Sequence, residues 1–399
     1  MLLHVVPLVP AVVVPPVSHA VMVPALPGGN LRATGPGPPY DGPMQDDLGA
    51  TLARRLREGD LAAAPAVLNL VETRTPAARE QTTELLRLLS PAELGHEPGG
   101  HVVGVTGPPG AGKSTLLSEL VRSLRARDRS VAVLAVDPSS RRTGGSLLGD
   151  RARITVDPHD PAVFIRSTAA ADRLGGLAWA TRAAAQALST AFDVVIVETV
   201  GVGQSETDVA DVADTVVVIV QPGSGDVLQF LKSGIMEIPH VLVITKSDLG
   251  RIAQRARADV RAALRSVGDR TTKVVAVSSL APASGFEELI STLDAHRAGI
   301  DVAQARRDAR RRTAIDDFRL EHGERALREL GGRPAARRVL AGTGDDLAVP
   351  ILVQELERAA GLLDPDPSGG PSDGAHEAAA TVAGDPSDAT PSPATGSVR

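Results

Sequence analysis

Between residues 101 and 298 the chain alternates short runs of Val and Ile with longer stretches whose apolar positions recur every three or four residues. The runs are Val102–Thr106, Val131–Val136, Val163–Ser167, Val194–Glu198, Thr215–Val220, Val241–Thr245 and Val274–Val277. Apolar runs of this length, each followed by polar or Gly-rich residues, read as strands buried on both faces. Such strands belong to parallel sheets covered by helices on each side. The predicted fold over 101–298 is therefore α/β, a doubly wound, mostly parallel sheet with its ligand at the carboxyl ends of the strands.

The flanks carry a helical period instead. In 46–100, Leu48, Leu52 and Leu56 fall at i, i+4 and i+8, and Gly59-Asp60 reads as a helix stop followed by an N-cap. A second helix is predicted over Leu61–Val71, and Thr75-Pro76 opens a third carrying Leu85, Leu86, Leu88 and Leu89. His96 to Gly100 then links to the first strand. Over 299–362, Leu327, Leu330, Val349, Ile351, Leu352 and Leu356 predict amphipathic helices. Residues 363–399 are rich in Pro, Gly, Ser, Ala and Asp and read as a disordered tail.

Residues 1–45 stand apart. The first 31 hold no Lys, Arg, Asp or Glu, and prolines 7, 10, 15, 16, 24 and 27 interrupt any spanning helix. The first arginine, Arg32, follows the apolar run, whereas a signal peptide needs its basic residues ahead of it. The segment reads as disordered or as a misassigned start, with Met44 the expected first residue.

Composition sharpens the picture in three ways. Hydrophobic residues make up 43% of the chain but aromatics only 2%, so Val, Leu, Ile and Ala must build the core. A net charge of −6 argues against a nucleic-acid binder held by overall charge. The absence of cysteine excludes disulfides, thiolate metal sites and cysteine nucleophiles, and suits a reducing cytoplasm.

The candidate chemistry begins at Gly107-Pro108-Pro109-Gly110-Ala111-Gly112-Lys113-Ser114-Thr115, which fits the phosphate-loop pattern between a strand and a helix. Its glycines, among them Gly107, Gly110 and Gly112, let the backbone wrap a phosphate with N–H groups pointing inward. Lys113 is expected at the β- and γ-phosphate oxygens and Ser114 at Mg²⁺. Asp193 to Gly201 reads as a strand that delivers the Glu198 carboxylate beside the phosphates, where Mg²⁺ takes hard oxygen ligands. Gly201 follows, where a switch glycine would offer its N–H to a γ-phosphate.

Two further segments point to the base. Thr245-Lys246-Ser247-Asp248 resembles the Asn-Lys-x-Asp loop of G proteins, with Thr in the Asn position. Asp248 is expected to accept from guanine N1–H and the 2-amino group, a donor pair that adenine lacks. Lys246 is expected along the base. Ser278-Ser279-Leu280, one strand later, sits where G proteins reach the guanine 6-oxo group with a backbone N–H. Two loops, Val136–Asp150 and Gln221–Asp226 with its continuation, read as segments that could order on a γ-phosphate.

Taken together these segments resemble the MeaB/ArgK family of G proteins, once labelled lysine/arginine/ornithine transport kinases. The strings that carry the resemblance are Gly107–Thr115, Val136–Asp150, Glu198–Glu206 and Gly223–Glu237. The resemblance implies a P-loop NTPase fold with N- and C-terminal helical extensions, and a cytoplasmic GTPase that chaperones an adenosylcobalamin-dependent acyl-CoA mutase, most often methylmalonyl-CoA mutase. It also implies a homodimer formed by the C-terminal helices, with no nucleic acid or membrane partner. By the same resemblance Lys113, Asp137, Asp150 and Glu198 are the candidate catalytic residues, and Ser114, Asp137, Asp150 and Glu198 surround Mg²⁺. Besides Thr245, the chain departs from the family pattern at Pro239-His240 and in the Pro282-containing loop after Ser279. Val202 stands where Ras-like proteins carry a water-orienting Gln, so slow intrinsic turnover is expected. A kinase acting on a transport protein and a nickel metallochaperone are the alternatives. The first lacks a separate substrate-binding domain in the pattern, and the second lacks soft ligands.

Overall fold

The computed structural model describes residues 47–137, 154–169, 179–199, 209–223, 239–344 and 346–364. The expected disordered segments at either end (apart from Leu363 and Asp364), Asp150, Gly201, Val202 and most of the two loops expected to order on a γ-phosphate lie outside these residues.

Among the described residues the centre of the molecule is a seven-stranded sheet. Its strands are β1 (His101–Thr106), β2 (Val131–Asp137), β3 (Val163–Ala169), β4 (Val194–Glu198), β5 (Thr215–Val220), β6 (Val241–Ile244) and β7 (Lys273–Ala276). The spatial order is β3-β2-β4-β1-β5-β6-β7 and every pairing is parallel. All seven Val/Ile runs became strands, with ends shifted by two residues at most. The order reverses around β1, flanked by β4 and β5, which opens a crevice at its carboxyl end.

Alternate residues feed two cores, which explains why the strands read as unbroken apolar runs. Val103, Val105, Val133, Ile196, Val217, Ile219 and Val243 face one side, against α5 (Lys113–Arg125) and, later in the chain, α8 (Phe286–Ala298). Val102, Leu134, Val195, Val197, Val218 and Leu242 face the other. That second face is covered by α6 (Trp179–Leu188) and α7 (Arg251–Ser266), and the N-terminal helices join the same cluster. They are α1 (Leu48–Arg57), α2 (Ala64–Glu72) and α3 (Pro76–Leu88), followed by the short α4 (Pro91–Leu94).

Local signals set the helix starts. Asp60 accepts from the Ala62 N–H at 3.0 Å, and Thr75 Oγ1 accepts from the Ala78 N–H at 3.2 Å. Pro65 and Pro76 occupy first-turn positions, where no N–H is needed. The helix predicted over 61–71 is therefore shorter: residues 61–63 form a 3₁₀ turn, and α2 begins at Ala64 with Pro65 in its first turn.

The C-terminal helices α9 (Val302–Glu329), α10 (Gly332–Gly342) and α11 (Val349–Ala359) share a separate small core that includes Ile315, Phe318, Leu340, Leu352 and Leu356. α9 is broken at Gly323, where φ is +82°. It is fastened to the amino end of the sheet by charge. Asp214, just before β5, has a side chain only 1% exposed. It accepts from Val102 N–H at 2.9 Å, from Arg306 Nε and Nη2 at 2.7 Å each, and from Arg297 Nη1 at 3.3 Å. Burial alone would push this carboxyl up, but the Arg306 hydrogen bonds and charge, the Val102 amide and Arg297 hold it below the usual carboxylate value. Nearby, burial drives the His101 imidazole down to about 4; the Asp214 charge opposes this and Arg297 adds to it.

Candidate functional site

The site is assembled at the carboxyl end of the sheet from four strand ends. β1 runs into residues 107–112, which lead straight into α5. Gly107 has φ +152°, and a Cβ there would stand 2.8 Å from the Ile219 carbonyl oxygen, so the loop can lie against β5 only with glycine at this position. Gly112, at φ +92°, turns the chain into α5 and leaves the first helical N–H groups facing the loop. The Lys113 ammonium folds back over the loop, donating to the Gly107 and Pro108 carbonyl oxygens at 2.7 and 3.2 Å. A cation arched over a Gly-rich turn at a helix N-terminus is an arrangement suited to an anion; within the loop the Ala111 N–H donates to the Pro108 carbonyl oxygen at 3.3 Å. Ser114 opens the helix beside it, and Thr115 is exposed.

β4 lies between β2 and β1, so Glu198 is in register with Ala135 on one side and Val105 on the other. Its residue is 7% exposed. It therefore ends two residues short of both Asp137 and Gly107. Asp137 closes β2 in the backbone, while its side chain lies outside the described residues. The Thr199 N–H continues the ladder to Val105 O at 2.9 Å.

β6 and β7 supply the other half. Thr245 is buried, and its hydroxyl donates to the Ala111 carbonyl oxygen at 2.8 Å, tying this loop to the phosphate loop. Thr in place of Asn thus keeps one side-chain link between the two loops. Lys246 adopts a left-handed conformation at φ +53°. Asp248 is exposed at the rim, and its Oδ1 accepts from Ser278 Oγ at 2.7 Å. The Leu280 N–H reaches Ser278 Oγ at 3.3 Å, and the Leu280 side chain is 65% exposed. Ser278 is pinned by paired backbone bonds with Ser284 at 3.0 and 2.9 Å, and Ser279 follows at the lip. The structure thus brings together Gly107, Gly110, Ala111, Gly112, Lys113, Ser114, Glu198, Thr245, Lys246, Asp248, Ser278 and Leu280 at one end of the sheet. Two features were not singled out from sequence. The buried hydroxyls of Thr106 and Thr199 have no hydrogen-bond partner among the described residues. Gln221, read only as the head of a loop, lies between the two half-sites.

A parallel sheet whose strand order reverses beside a Gly-rich phosphate loop, with a second loop carrying an exposed carboxylate across the crevice, defines a P-loop nucleoside triphosphatase. The model of the family described as "Methylmalonyl Co-A mutase-associated GTPase MeaB" matches residues 64–327, and the chain belongs to that family. It is 38% identical over 331 residues to a probable GTPase of Mycobacterium bovis, covering 80% of this chain and 97% of the relative. It is 36% identical over 290 residues to the GTPase ArgK of Escherichia coli, covering 70% and 86%. The crystal structure of an LAO/AO transport system kinase superposes with a TM-score of 0.52 at 28% identity, covering 79% of this chain and 99% of that one. The protein is accordingly a GTPase, and a guanine nucleotide is its ligand. Among the described residues no helix is long and apolar enough to cross a membrane.

Proposed function

We propose that the protein hydrolyses GTP to GDP and phosphate in order to gate and protect an adenosylcobalamin-dependent acyl-CoA mutase, with methylmalonyl-CoA mutase the expected partner. The observation that carries the nucleotide half is the hydrogen bond from Thr245 to Ala111, which joins a phosphate cradle to a base-reading loop. The family to which the chain belongs supports the mutase half.

In this reading the amides of residues 110–115 and Lys113 hold the β- and γ-phosphates. Asp248, oriented by Ser278, accepts from the guanine N1–H and 2-amino group. Lys246 lies along the ring, and the Leu280 N–H region meets the 6-oxo group. Ser114, Asp137, Asp150 and Glu198 are the proposed Mg²⁺ environment. Ser114 and Glu198 fit that ion: both are hard oxygen donors, and both lie at the phosphate end beside the loop. Bound Mg²⁺ would neutralise charge on the phosphate oxygens. Positioning of the γ-phosphate against an in-line water is then the main contribution of the chain. Lys113 leaves its carbonyl partners for the phosphate, an exchange of neutral acceptors for a charged one. With Val202 in place of a water-orienting Gln, intrinsic turnover is slow, and completion of the site falls to the partner or to loop movement. The C-terminal helices form the proposed homodimer contact.

Nucleotide and mutase binding should be reciprocally linked. The test is single-turnover phosphate release with and without mutase, paired with mutase affinity in GTP analogue, GDP and no nucleotide. Equal mutase affinity in all three states refutes the gating role, and absence of phosphate release from GTP refutes the hydrolytic one.

A further inference from the structure

β5 is the strand between β1, which ends in the phosphate loop, and β6, which ends in the base loop. The first residue past β5 is Gln221, half-buried in the crevice between the two loops. Its neighbours dictate how its amide is turned. The nitrogen donates to the Gly110 carbonyl oxygen at 2.9 Å, and the oxygen accepts from Lys246 Nζ at 3.2 Å. The opposite orientation would set oxygen against a carbonyl and nitrogen against an ammonium.

We propose that Gln221 is a positioning residue that couples the phosphate half of the nucleotide site to the base half. The proposal rests on the nucleotide-site reading given above and deepens it. Its physical content lies in peptide planarity. The Gly110 carbonyl and the Ala111 N–H belong to one planar unit, so a donor on that oxygen also fixes that N–H, which donates to the Pro108 carbonyl oxygen at 3.3 Å and closes the turn of the phosphate loop. The next carbonyl, Ala111 O, is held by Thr245. Two successive peptide planes of the phosphate loop are thus fixed from outside, one by the end of β5 and one by the end of β6. The other end of the Gln221 amide holds the Lys246 ammonium, on the loop that carries Asp248. Filling either half of the site therefore steadies the bridge that orients the other.

Gln221→Met keeps length and removes both polar contacts. Gln221→Glu keeps an acceptor for Lys246 but sets a carboxylate oxygen against Gly110 O. Calorimetric titration of GDP, GMP and ADP on the full chain separates the roles. Gln221→Met should bind GDP about tenfold more weakly than the wild type, the order expected for one lost bridging group. GMP, which engages less of the phosphate loop, should lose less, and the preference for GDP over ADP should narrow. Gln221→Glu should keep the base preference while losing diphosphate affinity. The melting temperature without ligand should not move. Unchanged GDP affinity in Gln221→Met overturns the bridge while leaving the nucleotide site intact. Equal losses for GDP, GMP and ADP with a lowered melting temperature reduce Gln221 to a structural residue and also overturn it. A wild-type chain that binds no guanine nucleotide would instead remove the site itself.

Discussion

Replacing Asp214 by Asn tests how the C-terminal helices are held to the nucleotide-binding sheet. The change preserves shape but removes the charge and one acceptor. In the native fold four donors converge on the two Asp214 oxygens, three of them from guanidinium groups. Both guanidinium groups are largely removed from water, with Arg306 13% and Arg297 22% exposed. An Asn amide turns its NH₂ toward one side of that donor set, leaving N–H facing N–H. Breaking a buried, hydrogen-bonded ion pair by removing one partner costs about 3–5 kcal/mol. That is a large fraction of the stability of an ordinary domain. Arg306 retains the Pro98 and Gly100 carbonyls as acceptors, which places the expected loss toward the lower end. Urea unfolding followed by far-ultraviolet circular dichroism at neutral pH reads this directly. The pH dependence supplies a second check. The Asp214 carboxyl lies below its usual value of 3.8 in the fold, so its stabilisation is complete above that pH and is lost as acid protonates it. The gap between wild type and variant should be constant from neutral pH down to about pH 5 and should close only in stronger acid. A loss under about 1 kcal/mol at neutral pH would place the pair in the weak class of exposed salt bridges and refute the clamp.

Two other outcomes follow from the same geometry. Asp248→Asn exchanges an acceptor-only group for one that also donates, so GDP affinity should fall by about a hundredfold or more, while a xanthine nucleotide, with a 2-oxo group, should gain; unaltered GDP binding in competition titration would remove Asp248 from the base site. His101 titrates near 6.5 when unfolded but near 4 in the fold. The unfolded chain therefore takes up the proton first, and stability is complete above 6.5 and falls as pH drops toward 4. At pH 5 this one group should cost about 2 kcal/mol relative to neutral pH, a loss that His101→Gln should lack in matched urea titrations.

The sequence alone determined what depends on neighbours along the chain. Val/Ile runs gave the strands because a strand buried on both faces has no polar position to spare. Asp60, Thr75 and Pro76 marked helix starts because capping acts within three residues. Residues 107–115 were legible as a phosphate-loop pattern because one contiguous segment between a strand and a helix carries it. The helix at Pro91–Leu94 escaped because a single turn carries too few positions to show a period. What only the tertiary structure decided are meetings between distant residues: Asp214 with the Val102 amide 112 positions earlier, Thr245 with the Ala111 carbonyl, Gln221 between Gly110 and Lys246. A lone Asp, Thr or Gln at a strand end has no periodic trace. Its partner is set by strand order, and strand order comes from how crossover helices pack on the sheet, which no local window of sequence contains.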